Sequence, residues 1–147
     1  MPFVWDEKTM GTGVPELDTQ HQELIRRLQA LLTALGAGRN DAALGAALDS
    51  ARAYARWHIA QEEACMADRH CPAAAAARSA HRRFLDAFEQ ISSRVKAEGP
   101  KRSLAIRAER ELADWVRHHI VRIDSQLREC ARRESGAEPE LERAQSA

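Results

Sequence analysis

Apolar residues recur at steps of three and four along most of the chain, the period of helices that lay one face on a shared core. Leu24, Ile25, Leu28, Leu31, Leu32 and Leu35 form the first such stripe. Asp18 or Thr19 is expected to cap its start, with Gln22 completing a capping box after Thr19, and Gly36 and Gly38 to stop it. A second helix is expected from Asn40 or Asp41, carrying Leu44, Ala47, Leu48, Ala51, Tyr54 and Ala55 toward His58, Glu62 and either Cys65 or Met66. Cys71-Pro72 breaks that run. A third opens with Ala73 to Ala77 and passes through His81, Phe84, Phe88, Ile91 and Val95 to Gly99-Pro100. The fourth, from about Lys101 to Arg133, carries Ala105, Ala108, Leu112, Trp115, His119, Ile123 and Cys130. With short connections and no strand signal, this pattern predicts an all-α protein, an up-down-up-down four-helix bundle.

Outside the stripes the pattern fails in two places. Residues 1–17 hold Pro2, Gly11, Gly13 and Pro15 between scattered apolar residues, which suits an extended N-terminal arm anchored by Phe3, Val4 and Trp5. Beyond Ser135-Gly136 the sequence turns polar. The expected organisation is one bundle domain over 1–133, its arm being 1–17, followed by a polar, frayed tail over 134–147.

Candidate chemistry lies where polar residues interrupt the apolar stripes. His58 and Glu62 are four apart, so an imidazole and a carboxylate rise on one helical face. His21 sits one turn before Ile25, and His81 and His119 occupy stripe positions on the third and fourth helices. Antiparallel neighbours put early positions of helices one and three level with late positions of two and four. His21, His81, His58, Glu62 and His119 therefore converge at one end of the core, where buried polar groups need partners. Imidazoles with a carboxylate and no thiolate cluster suit iron, manganese, zinc or copper. Asp124, five residues after His119, points about 140° from it on an ideal helix. A π-type turn between the two would bring both to one face.

Charge and composition narrow the partners. Lys plus Arg and Asp plus Glu number 22 each and the pI is about 7.0, so no strong field favours nucleic acid or an anionic membrane. Arg26-Arg27, Arg82-Arg83 and Arg132-Arg133 read as solvated faces. Cys65, Cys71 and Cys130 lack a CxxC spacing and read as reduced thiols, Cys65 and Cys130 as small packing residues. Trp57 and Trp115 read as packing. With no basic, apolar leader and no run of about 18 apolar residues, a cytoplasmic monomer is expected.

Taken together, several stretches resemble the hemerythrin family, its single-domain bacterial members above all. They are Val4-Trp5-Asp6, the run Gly13 to His21, His58 to Met66, His81-Arg82-Arg83-Phe84, and Trp115 to Asp124. The resemblance implies two iron ions in an oxo- or hydroxo-bridged di-iron centre, the carboxylates of Glu62 and Asp124 also bridging. His21 and His58 would ligate one iron, His81 and His119 the other. Dioxygen, or another small diatomic or peroxide ligand, would be the partner, with Ile25, Trp115 and Val116 lining its pocket. Val116 stands where the family typically has leucine and is expected to admit water more readily. Ala77 stands where the family has a further histidine, so weaker retention and faster oxidation of the second iron are expected. Two alternatives to an oxygen carrier follow: peroxide or nitric oxide chemistry at the di-iron centre, or an iron- or redox-responsive interaction module.

Overall fold

The computed structural model describes residues 5–134; Phe3, Val4 and the tail from Ser135 lie outside them. The helices are α1 (Glu7–Met10), α2 (Pro15–Gly36), α3 (Ala42–Asp68), α4 (Ala74–Glu98), α5 (Arg102–Ala108) and α6 (Trp115–Glu134). A π-helical segment, Glu109–Asp114, joins α5 to α6, so the three run on as one rod. In the ring of four, α2 packs along α3, α3 along α4, α4 along α5, and α5 returns to α2. This is an all-α four-helix bundle, and the described residues contain no strand.

The arm departs from the extended form expected of it. Asp6, Lys8 and Met10 belong to a short hydrogen-bonded turn in which Met10 N–H donates to the Asp6 carbonyl at 2.8 Å. Met10 is buried in the main core and α1 lies against α6. The first long helix also begins earlier than its apolar stripe, at Pro15 in place of Asp18 or Thr19. Pro15 tolerates the first turn because no intrahelical partner awaits its missing N–H, and Gly13 supplies the left-handed bend before it at φ 80°. Asp18 is then inside the helix and reaches back, accepting from the backbone N–H and the hydroxyl of the buried Thr12, both at 2.7 Å. That clasp fixes the chain entering α2, one turn before His21. Asp41 does cap α3, its carboxylate accepting from Ala43 N–H at 3.1 Å and Leu44 N–H at 3.2 Å.

The main core holds Leu28, Leu31, Leu35, Leu48, Phe84, Phe88, Ile91, Leu104 and Leu112, all at most 1 % exposed. Along the fourth rod Leu104, Ala108, Leu112, Val116 and Ile120 are buried at steps of four, with Ala113 also buried in the π segment, whereas Ala105 and Trp115 are only half-buried. Four successive steps of four residues would drift around an α-helix by roughly 40° each. The wider π turns at Glu109–Asp114 absorb that drift and keep the run on one face. After Ile120 the spacing returns to threes and fours at Ile123, Leu127 and Cys130.

Two readings of individual residues change. Cys71 and Cys130 are joined in a disulfide, their Cα atoms 5.8 Å apart, so the expectation of three reduced thiols is corrected. A pair 59 positions apart carries no local spacing signal; only the packing of α6 on the α3–α4 connection brings it together. Trp57 is not a packing residue either: it is 48 % exposed, beside Tyr54 at 5.5 Å between ring centres.

Candidate metal centre

Four helices each contribute to one polar cluster at the end of the bundle where α2 and α4 begin. His21 is fully buried in the second turn of α2, and His58 and Glu62 lie one turn apart late in α3. His81 sits two turns into α4 and His119 one turn into α6. Glu62 is the hub, with no exposed surface. Its Oε2 faces His21 Nε2 at 2.7 Å and His58 Nε2 at 3.2 Å; its Oε1 faces His81 Nε2 at 2.8 Å and His119 Nε2 at 3.2 Å. One carboxylate thus divides four imidazoles into two pairs.

The rings are aimed from behind. His58 Nδ1 meets Gln20 Oε1 at 2.9 Å and His81 Nδ1 meets Glu63 Oε2 at 3.0 Å. Both partner oxygens can only accept, so each Nδ1 donates to one of them, and the opposite ring nitrogen, Nε2, is turned inward toward Glu62. His119 is held by stacking: Trp115 lies parallel to it at 4.4 Å and 13°, and Phe84 stacks on Trp115 at 4.4 Å and 16°. Gln20 and Glu63 were missed by the sequence reading. No spacing signal marks them: each adjoins a cluster residue in the sequence, and a neighbour one residue away sits about 100° round a helix.

Electrostatics follow from burial against a single shared charge. Burial alone would push the Glu62 carboxyl up, but hydrogen bonding from His119, His21, His58 and His81 together holds it well below the usual carboxylate range. His58 and His119 are pushed down by burial, which their contacts with Glu62 only partly offset. Burial opposes charge on His81 too, yet Glu62 and then Glu63 outweigh it and hold that imidazole above its ordinary value.

Donor chemistry tests whether a cation fits. His81 Nε2 and His119 Nε2 lie 2.9 Å apart, both facing the same carboxylate oxygen, as donors converging on a common positive centre do. His21, His58 and Glu62 form one group able to hold a metal ion, and Glu62, His81 and His119 a second, the ligand atoms in each within 4.8 Å of one another. Nitrogen and oxygen donors with buried walls suit a transition metal better than calcium or magnesium.

Other expected site residues are placed as follows. The backbone of Asp124 lies in α6, and its side chain is outside the described residues. The stretch from His119 to Asp124 is regular α-helix and the π segment falls upstream, at Glu109–Asp114, so the turn that would bring these two residues to one face is not found between them. Ile25 and Val116 are buried in the main core at 5 % and 1 % exposure. Ala77 is buried one turn before His81 among Leu17, Met66, Cys71 and Ile123. The two histidines outside the cluster, His70 and His118, are both exposed, His118 Nδ1 donating to the Asp114 carbonyl at 2.7 Å.

A bundle whose four helices bring a histidine–glutamate cluster to one buried end defines a helical cation-binding protein. The chain belongs to the hemerythrin family: residues 12–131 match the hemerythrin HHE cation binding domain. No curated protein matches the sequence closely enough to add further detail. None of the described helices is long and apolar enough to cross a membrane.

Proposed function

We propose that this is a non-haem di-iron protein that binds dioxygen or another small diatomic or peroxide ligand. The observation that carries the reading is the division of four imidazoles between the two oxygens of Glu62. His21 and His58 would hold one iron and His81 and His119 the other, with Glu62 between them; Asp124, the second bridge that family membership suggests, would have to reach the cluster from about 140° round the helix from His119. Bound iron supplies reversible electron transfer to a small oxygen-like ligand. The remaining work belongs to the protein. Gln20 and Glu63 fix the tautomers of His58 and His81, Trp115 fixes the plane of His119, and Ile25 and Val116 would line the ligand's pocket, the smaller Val116 admitting water more readily than leucine would.

A second reading, oxidation chemistry with peroxide or nitric oxide, is favoured by Ala77. Its methyl group sits in an apolar cluster where an imidazole would complete the His81–His119 half. One experiment separates the two. Metal-free protein is loaded with ferrous iron without oxygen, metal per chain is counted, and oxygen is admitted while the visible spectrum is recorded. Two irons and a colour that deoxygenation removes are expected of carriage; immediate irreversible conversion to a ferric spectrum favours oxidation. Fewer than one iron per chain under saturating metal would remove the di-iron reading. Ala77→His should slow loss of the second iron, and an unchanged rate would remove the role given to Ala77.

A further inference from the structure

We propose that Cys71 and Cys130 form a reversible redox site whose disulfide clamps an apolar plug over the His/Glu cluster. The inference rests on the reading of that cluster as a metal centre. Leu17, Met66, Ala77 and Ile123 each lie four residues from His21, Glu62, His81 and His119, always on the side toward the same end of the bundle. On a helix that spacing stacks one side chain over the other. All four belong to a buried cluster separate from the main core, closed by Val14, Leu127, Cys71 and Cys130. One apolar side chain thus covers each site residue, and the layer beyond them contains the disulfide.

The clamp joins the elements that carry the cluster. Cys71 sits in the middle of the α3–α4 connection and its N–H donates to the Met66 carbonyl at 2.9 Å, so the covalent link reaches the turn directly after Glu62. Cys130 lies in α6, two turns beyond Ile123. The plug has little else to hold it. It lacks the phenylalanines of the main core, and at Ala77 it offers only a methyl group. Cutting the link frees α6 from the α3–α4 connection at the level where a metal ion would enter or leave.

Cys130 borders a surface cleft of about 530 Å³ that Pro72, Ala73 and Gln126 also line, which brings a thiol reagent next to the disulfide. Reduction by a dithiol breaks the S–S bond. Two electrons and two protons pass to Cys71 and Cys130, and the reductant's two thiols become a disulfide. Hydrogen peroxide closes it again: two electrons leave the thiols, and their protons depart in two molecules of water.

The test uses the full chain, oxidised with hydrogen peroxide while metal-free, then split into untreated and dithiothreitol-reduced samples. Alkylation and peptide mapping should find Cys71 linked to Cys130 in the first sample and both cysteines alkylated in the second. Free alkylation of both in the oxidised sample overturns the site. After anaerobic loading, ferrous iron should pass to a chelator about tenfold faster from the reduced sample, because freeing the plug lets it open locally. Cys65→Ser should keep this redox response, and the C71S/C130S double variant should release iron at the fast rate under both treatments. Equal rates from oxidised and reduced protein overturn the clamp. Hydrogen exchange on metal-free protein reads the clamp without iron. Reduction should raise exchange over residues 62–81 and 119–130 and leave 28–48 unchanged, and identical exchange in the two redox states also overturns it. A chain that takes up no iron but shows this exchange difference would refute the metal reading and leave the clamp standing.

Discussion

The two ends of the bundle solve opposite problems. Away from the cluster, Leu28, Leu31, Leu35, Leu48, Phe88, Ile91 and Leu104 interlock as pure hydrocarbon, each at most 1 % exposed. At the other end three buried imidazoles, the half-buried His119 and a buried carboxylate gather together, and the layer beyond them has no aromatic ring and one disulfide. Apolar burial stabilises at about 25 cal/mol per Å² with little demand on geometry. A buried polar cluster contributes specificity only while every member is partnered. The difference implies that the hydrocarbon end sets whether the chain folds, and the polar end sets what the folded chain can hold.

The largest effect should come from the hub. Glu62→Ala removes the single carboxylate that both imidazole pairs share. Metal content measured after equilibrium dialysis is expected to fall close to zero, with affinity lost by more than the roughly 100-fold seen for residues one shell further out. Circular dichroism should show the helices intact, because the hydrocarbon end is untouched. Retention of two metals by this variant would break the assignment of Glu62.

Phe88→Ala is the reciprocal change. The ring is 0 % exposed and meets Phe84 edge-on, centres 6.0 Å apart. Its loss should cost about 3–5 kcal/mol in denaturant unfolding. Metal per chain in the fraction that remains folded should be unchanged. A fall in stoichiometry there would show that the two ends are coupled more tightly than their separate packing implies.

Glu63→Gln sharpens the comparison within the polar end. His58 is oriented by a neutral amide and His81 by a carboxylate. The substituted amide would keep a hydrogen-bond acceptor and lose the charge, so affinity at the His81–His119 half should drop by roughly tenfold. Isothermal titration should then resolve one tight and one weakened site. Two sites weakened equally would point to general destabilisation and sink the positioning role.

These contrasts bear on what the sequence could disclose. The four-helix plan was legible because Leu24 to Leu35, and Phe84 to Val95, keep helical spacing over several turns. The convergence of His21, His58, Glu62, His81 and His119 was legible too, since antiparallel topology alone puts them at one level. Three features were not. The π segment showed only as four successive steps of four from Leu104 to Ile120, a phase signal that an ideal 3.6-residue template passes over. The start of α2 was hidden because its first turn is capped by geometry at Pro15 and Gly13, with Asp18 turned back to Thr12. The Cys71–Cys130 link joins positions 59 apart and depends on tertiary packing that no local pattern encodes. Gln20 and Glu63 share that limit: their roles depend on which way a ring across the helix interface points.

The smallest effect lies at the hydrocarbon end, where α3 begins. Asp41 satisfies the N–H groups of Ala43 and Leu44, and its carboxyl is held below the usual value of 3.8, first by the Leu44 bond and then by Arg39. A carboxylate lowered on folding stabilises the native state at every pH above its unfolded value, and that contribution fades as pH falls through the folded value. Asp41→Ala should therefore lower Tm by about 2–4 °C near pH 7, the usual scale for losing a helix cap in a chain of this size. The gap between the two proteins should stay constant down to about pH 4 and narrow below it. Metal content should not change at any of these pH values where the natural chain retains its own. A cap variant that lost metal while keeping its Tm would reverse the division of labour between the two ends, because it would make the site sensitive to a change that stability does not register.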